Sequence, residues 1–303
     1  MGLLQETCDA IHSRSKEIEQ HIIKNWNDAS DSKQYGRLVN MVAQYGAATN
    51  QKNVTIPKPC MIIASADHGV ADMGVSAYPK ETTVGMTQNY LIPKGAGANS
   101  LANYCGAHME VIDMGIDADM SWVPGLRSHK LGMGTKNFVE EPAMTREQAI
   151  EGIETGIKLV QEKMADGYNV FLVGEMGISN TTASALMTAK FAGLTAEEAT
   201  GRGTNISDER LKLKQRIVHD VLVKYQDIPK DDAIGILAAV GGFEFTCIVG
   251  VILGAAAHHG MVIIDGFNTS ACALVAKTLV PASMDYVMAS HLSAEKAAKS
   301  SLQ

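Results

Sequence analysis

Apolar residues along this chain gather in short runs, each ending on a small or acidic residue before a helical pattern takes over. Met61-Ile62-Ile63-Ala64 leads into Asp67-His68-Gly69, and Met109-Glu110-Val111-Ile112 leads into Asp113-Met114-Gly115. Val170-Phe171-Leu172-Val173 leads into Gly174-Glu175-Met176-Gly177. Val262-Ile263-Ile264 leads into Asp265-Gly266, and Tyr286-Val287-Met288-Ala289 into Ser290-His291. Runs this short and β-rich predict strands, and their nearly unbroken apolar character predicts burial on both faces of a sheet.

Between them the helices are signposted. Thr145-Arg146-Glu147-Gln148 forms a capping box, in which the Thr hydroxyl and the Gln amide satisfy each other's free backbone N–H groups. Ile150, Ile153, Ile157, Val160 and Met164 then share one helical face, and Gly167 stops the helix. Thr195-Ala196-Glu197-Glu198 opens another, and Ser207 caps a third carrying Leu211, Leu213, Ile217, Val218, Val221 and Leu222. Strands alternating with helices predict an α/β fold whose parallel sheet has helices on both faces. In such a sheet ligands bind beyond the carboxyl ends of the strands. Asp67, His68, Asp113, Glu175, Asp265, Ser290 and His291 all fall there. Residues 1–55, helical and polar, are expected to belong to a small helical domain, and residues 56–303 to a large α/β domain. Asp227 to Asp232 reads as a surface connector.

Composition narrows the function class. Of 303 residues, 46% are apolar and 19% charged, which excludes a disordered chain. A net charge of −7 with no basic face argues against nucleic acid as a partner. The longest apolar run, Cys247 to Ala257, is well short of the roughly 20 residues of a membrane span, so a soluble chain is expected. Five scattered cysteines in no metal-binding pattern read as free thiols of a cytoplasmic protein, and neither a metal nor a cofactor is expected.

The sharpest candidate for chemistry is Gly174-Glu175-Met176-Gly177-Ile178-Ser179-Asn180-Thr181-Thr182. A strand enters a glycine-bearing turn, and hydroxyl and amide residues then open a helix. Glycine permits close backbone approach, and the free N–H groups at a helix start favour an anion, so Gly177, Ile178, Ser179, Asn180 and Thr181 describe a phosphate cradle. Gly201-Arg202-Gly203-Thr204 is a second loop able to supply amide donors and a cation, with Lys214 on the following helix as a further cation. Glu175, between strand and cradle, is placed to orient a substrate or take a proton. The pattern is neither the Walker lysine loop nor the dinucleotide glycine fingerprint.

These segments, with Ala66-Asp67-His68-Gly69-Val70, Gly74-Val75-Ser76-Ala77-Tyr78-Pro79, Val240-Gly241-Gly242-Phe243-Glu244, Ile264-Asp265-Gly266-Phe267 and Ser290-His291-Leu292-Ser293-Ala294-Glu295-Lys296, carry a resemblance. In their order the chain resembles the nicotinate-nucleotide:dimethylbenzimidazole phosphoribosyltransferases of cobalamin lower-ligand synthesis. The resemblance implies a Rossmann-like large domain with a small helical one. It also implies dimers, either of this chain or with a paralogue, and transfer of 5-phosphoribose from nicotinate mononucleotide to a benzimidazole or a phenol. It puts Glu175 in the pocket as the catalytic group, the two glycine loops on the phosphate, and Tyr78, Pro79, Lys80, Gln88, Ser290 and His291 near the ribose or acceptor. Two departures stand out. Gly85 occupies a position where the family pattern has a glutamine, and the family's general-base glutamate lies in a Gly-Glu-Gly segment further along than Gln303. A general base contributes roughly 10²–10⁴-fold, so weak turnover by this chain alone is a second expectation. A nucleotide-binding subunit paired with an intact paralogue, or a dinucleotide-dependent oxidoreductase, are the competing readings.

Overall fold

The computed structural model describes residues 2–29 and 35–302, so residues 1, 30–34 and 303 of the two expected units lie outside the described residues. Three helices open the chain, α1 (Leu3–Ala10), α2 (Lys16–Ala29) and α3 (Leu38–Ala48). Next come β1 (Pro59–Ala66), α4 (Thr82–Leu91), α5 (Gly97–Cys105), β2 (His108–Gly115), β3 (Leu126–Ser128) and α6 (Arg146–Ala165). The second half holds β4 (Val170–Met176), α7 (Asn180–Ala192), α8 (Ala196–Ala199), α9 (Asp208–Lys224), α10 (Ala233–Val240) and α11 (Phe243–Ala257). It closes with β5 (Met261–Ile264), α12 (Phe267–Leu279), β6 (Val287–Ala289) and α13 (Ala298–Ser301).

The six strands form one sheet in the order β3-β2-β1-β4-β5-β6, and every neighbouring pair is parallel. This is the strand order of the Rossmann sheet. The chain winds outward from β1 to β3, then crosses back to place β4 on the other side of β1. The loops leaving β1 and β4 therefore diverge and open a crevice at the carboxyl ends of these two strands. Asp67 and His68 follow β1 directly, and Glu175 lies near the end of β4. Asp113 lies inside β2, where its carboxylate accepts the amides of Gly115 and Ile116 and an ion pair from Lys130.

One face of the sheet, formed by Cys60, Ile62, Ile112, Phe171 and Val262, is fully buried. α11 packs on this face, and its residues Phe243–Ala256 are buried all round. A helix apolar on every side belongs in the middle of a protein. The 11-residue apolar run from Cys247 to Ala257 is thus a core helix. α6 covers α11 from outside, and the two backbones approach closely because glycines line the crossing. A Cβ on Gly156 would lie 2.1 Å from the Cys247 carbonyl oxygen, and one on Gly250 would lie 2.0 Å from that of Ile153. This crossing widens the buried stripe of α6 toward its glycines and leaves only Ile150 of the expected face exposed. Gly152, Gly156 and Lys163 are buried, while Ile150 is 36% exposed. The apolar spacing located the stripe correctly at Ile153, Ile157 and Val160 but missed that glycines extend it on one side only.

The opposite face is covered unevenly. α4 and α5 lie over β1 and β2, where Ile63 and Val111 pack with Tyr90 and Ala96. Over β4 and β5 the sheet is open, so Met61, Leu172 and Ile263 are only half-buried, contrary to the expectation of burial on both sides. The caps predicted for the helices are present: Thr145 and Gln148 exchange hydrogen bonds of 2.9 and 3.1 Å, Thr195 pairs with Glu198, and Ser207 accepts the Arg210 amide. Each such cap contributes about 1 kcal/mol. β3 was not anticipated, since three residues including an arginine leave no apolar run.

At the amino end α1 packs on α6 and α11, while α2 and α3 share a small core of Ile18, Ile22, Ala43 and Ala47. Arg14 pairs with Asp285 at 2.7 Å, and Gln44 donates to the Val287 carbonyl at 3.0 Å, tying this region to the β6 edge. Among the described residues no helix is long and apolar enough to cross a membrane.

Candidate active site

The first wall of the crevice is the turn from β4 into α7. Gly177 packs so tightly there that a Cβ would sit 2.6 Å from the Ala66 carbonyl and 3.2 Å from both His68 and Glu244. Two residues on, Ser179 adopts φ 78°, a left-handed conformation that costs a side chain of this kind on the order of 1 kcal/mol. Among the described residues, none accepts the amide protons of Gly177, Ser179 or Thr181. The Ile178 amide is taken by the Thr83 hydroxyl at 3.2 Å, which anchors the turn to α4. Free amides at the start of a helix carry partial positive charge and favour an anion.

The second glycine loop folds onto the first. Gly203, at φ 56°, lies over Thr181, so that a Cβ would be 2.7 Å from its hydroxyl and 3.4 Å from Lys214 Nζ. Lys214 is only 1% exposed and donates to Thr181 Oγ1 at 2.8 Å. Burial pulls its ammonium down to about 8, against the opposing charge of Glu295. No carboxylate lies within ion-pair distance of Lys214 among the described residues. A buried cation held by one hydroxyl beside free amides is a site for an anion. Glu295 reaches the same loop, accepting the Gly203 amide at 2.8 Å. Arg202 does not join the cradle. Its guanidinium turns outward to the Ile206 carbonyl at 2.7 Å and to the carboxylate of Asp208 in the first turn of α9.

Glu175 stands beside the cradle. Its carboxylate accepts from Asn268 Nδ2 at 2.9 Å and from the Asn180 side-chain amide, and Asn268 is oriented in turn by the Ser184 hydroxyl at 2.7 Å. The side chain is reached from the cleft yet surrounded by protein on most sides. Burial pushes it up to about 7, the two asparagine bonds pull it down, and the charges of Glu244 and Asp265 add to the rise. A carboxyl group poised there exchanges a proton at neutral pH.

Next to Glu175, above the open part of the sheet, lies a cleft of about 340 Å³ lined by Met61, Ile63, Tyr90, Leu172 and Ile263, with Asp265 and Ser290 at its rim. An apolar floor edged by a few polar groups suits a flat organic ring. Ser290 Oγ donates to the Asp265 carbonyl at 3.1 Å and lies 2.9 Å from His291 Nδ1.

The structure thus brings together Glu175, Gly177, Ile178, Ser179, Asn180, Thr181, Gly201, Gly203 and Lys214, with Ser290 and His291 on the rim. The Tyr78 loop reaches the same mouth, since the Ala77 amide donates to Thr204 Oγ1 at 2.9 Å and Arg210 to the Ser76 carbonyl at 2.8 Å. Tyr78 and Pro79 are exposed there, while Lys80 is engaged by Asp117 at 2.6 Å. Gln88 is half-buried on α4, and the residue of that helix lining the cleft is Tyr90. Sequence reasoning missed Asn268, Thr83 and Tyr90. Asn268 had a signal, standing where a strand passes into a helix at Asp265-Gly266-Phe267.

Comparison with known proteins gives a consistent picture. A family model described as phosphoribosyltransferase matches residues 11–303. Nicotinate-nucleotide–dimethylbenzimidazole phosphoribosyltransferase of Chloroflexus aggregans is 43% identical over 261 residues, which are 86% of this chain and 73% of that protein. The protein of the same name from Geobacter metallireducens is 44% identical over 260 residues, with the same coverage of 86% and 73%. Among solved structures, CobT from Thermus thermophilus superimposes with a TM-score of 0.88 at 32% identity, covering 94% of this chain and 85% of that one.

Proposed function

Because this chain belongs to the nicotinate-nucleotide–dimethylbenzimidazole phosphoribosyltransferase family, we propose that it moves 5-phosphoribose from nicotinate mononucleotide to a nitrogen of a benzimidazole. The observation that carries this reading is the meeting of two sites at one strand end. One is an anion cradle holding Lys214 and Gly203, and the other is a carboxyl group, Glu175, that titrates at about 7.

The 5′-phosphate would replace solvent at the amides of Gly177, Ser179 and Thr181 and take a charge-assisted hydrogen bond from Lys214. The ribose then lies toward Glu175, and a flat base lies over the apolar floor of the cleft. The glycosidic bond from C1′ to the pyridinium nitrogen breaks, and its electron pair stays on that nitrogen, giving nicotinate. The acceptor nitrogen's lone pair forms the new bond to C1′. The proton on the benzimidazole's other ring nitrogen passes to the Glu175 carboxylate, and Asn180 and Asn268 keep that carboxylate aimed. Holding donor and acceptor in line supplies much of the acceleration, because the leaving group is already cationic and needs no proton.

The test is direct. Purified protein is incubated with nicotinate mononucleotide and 5,6-dimethylbenzimidazole, and products are followed by liquid chromatography and mass spectrometry. Equal amounts of nicotinate and an α-riboside phosphate are expected, reduced roughly 10²–10⁴-fold by Glu175→Gln. Absence of product, or product unaffected by that substitution, contradicts the proposal. Competition between the benzimidazole and a phenol in one reaction identifies the preferred acceptor.

A further inference from the structure

Threonines in helices commonly turn their hydroxyls back onto their own helix. Thr7, Thr155 and Thr278 do so here, donating to the carbonyls of Leu3, Glu151 and Leu274, each four residues earlier, over 2.8–3.0 Å. Thr83, fully buried in the first turn of α4, does otherwise. Its Oγ1 reaches out of the helix and accepts the Ile178 amide, 95 residues away, at 3.2 Å. The peptide it holds is the one joining Gly177 to Ile178, and the carbonyl of that peptide accepts the Asn180 amide at 3.2 Å. The start of the cradle turn is therefore fixed at both ends of one peptide group, directly before the left-handed Ser179.

Accepting an amide leaves the Thr83 hydroxyl with a proton of its own to place. The carboxylate facing it is that of Asp67, which is 2% exposed. Asp67 Oδ1 is buried and has no donor among the described residues, while Oδ2 accepts the Asp117 amide at 2.8 Å. A donor in need of an acceptor and an acceptor in need of a donor thus stand together, and the bond between Oδ2 and Asp117 keeps the carboxylate from turning away. Packing alone does not require this arrangement. A valine has the shape of a threonine and would fill the space without burying a polar group.

We propose that Thr83 is a positioning residue for the phosphate, with Asp67 as its anchor: the carboxylate orients the hydroxyl, and the hydroxyl holds the Gly177–Ile178 peptide in the conformation that binds the anion. This role rests on the reading of the Gly177 turn as the phosphate site, and its test needs no turnover. Nicotinate mononucleotide and its phosphate-free riboside are titrated by calorimetry into the wild type, Thr83→Val, Thr83→Ser and Asp67→Asn. Thr83→Val should bind the nucleotide roughly tenfold more weakly, the worth of one net hydrogen bond, and the riboside within about threefold of the wild type. Thr83→Ser keeps the hydroxyl and should bind the nucleotide within about threefold of the wild type. Asp67→Asn puts an N–H where one accepting oxygen stood, so it should weaken the nucleotide by about threefold or more while sparing the riboside. A nucleotide affinity that holds or rises in Thr83→Val or Asp67→Asn overturns the proposal, as does an equal loss for the riboside or a failure of serine to rescue. A second readout uses the wild type alone, in case the variants do not fold. In ligand-free ¹⁵N-isoleucine-labelled protein the Ile178 amide, assigned from Ile178→Val, should be protected from hydrogen exchange, and exchange at the rate of an exposed amide overturns the proposal. Thr83-dependent binding without riboside phosphate formation refutes the assigned reaction alone. Product formation with nucleotide binding indifferent to Thr83→Val refutes the positioning role alone.

Discussion

Replacing Lys214 with methionine removes a buried charge while keeping most of the stem's volume, and stability and binding should then move in opposite directions. In the folded chain the ammonium titrates at about 8, against 10.5 for an ordinary lysine. Its folded value is depressed, so the unfolded chain holds the proton more tightly. Stability is therefore lowest below pH 8 and recovers as pH rises from 8 toward 10.5. At pH 7 the full difference amounts to about 3 kcal/mol against the fold. Losing the 2.8 Å bond to Thr181 returns about 1 kcal/mol of that. Ligand-free Lys214→Met should thus be more stable than the wild type by on the order of 1–2 kcal/mol at pH 7, a rise of a few degrees in Tm. The same change removes a buried charge-assisted contact to phosphate, for which truncation costs roughly 2–5 kcal/mol, or about 30-fold or more in affinity. Thermal unfolding by circular dichroism and isothermal calorimetry with nicotinate mononucleotide measure the two halves. A variant that is less stable without ligand and binds the nucleotide within threefold of the wild type would refute the reasoning.

Two other perturbations follow from the same contacts. Glu175 must be ionised to accept a proton, so product formation should rise as pH passes about 7 and level off above it. Since its folded value is raised, the fold loses stability as pH climbs from 4.5 to about 7, and Glu175→Gln should be more stable than the wild type by about 1–3 kcal/mol at pH 8 but not at pH 4, read from melting curves at both. Gly250→Ala pushes a methyl group to 2.0 Å from the Ile153 carbonyl and must part α6 from α11, costing roughly 1–3 kcal/mol in denaturant titration while the folded protein keeps its nucleotide affinity.

Much of the fold was legible because its signals are local. β1, β2, β4, β5 and β6 each contain an apolar run that names them, and the Thr145, Thr195 and Ser207 caps are written in adjacent residues. The turn from Gly177 to Thr181 was legible for the same reason, since it is one continuous segment between β4 and α7. What stayed hidden depends on tertiary contact. Lys214 is named by its place after the second loop, but its burial and its bond to Thr181 arise only once α9 is packed on α7. Arg202 looked like a phosphate ligand, but Asp208 lies closer to hand. His68 and Glu244 meet across 176 residues, and no spacing rule joins them. The glycines of α6 and α11 read as interruptions along the chain, yet they are what lets the two helices touch.

The claim that the Gly177 and Gly203 turns form one phosphate site beside Glu175 is tested most directly by a crystal structure of the protein with nicotinate mononucleotide bound. The phosphate should lie within hydrogen-bonding distance of Lys214 Nζ and the Gly177 and Thr181 amides, with the ribose C1′ facing the Glu175 carboxylate. A nucleotide bound elsewhere, or a phosphate in contact with neither turn, would contradict it.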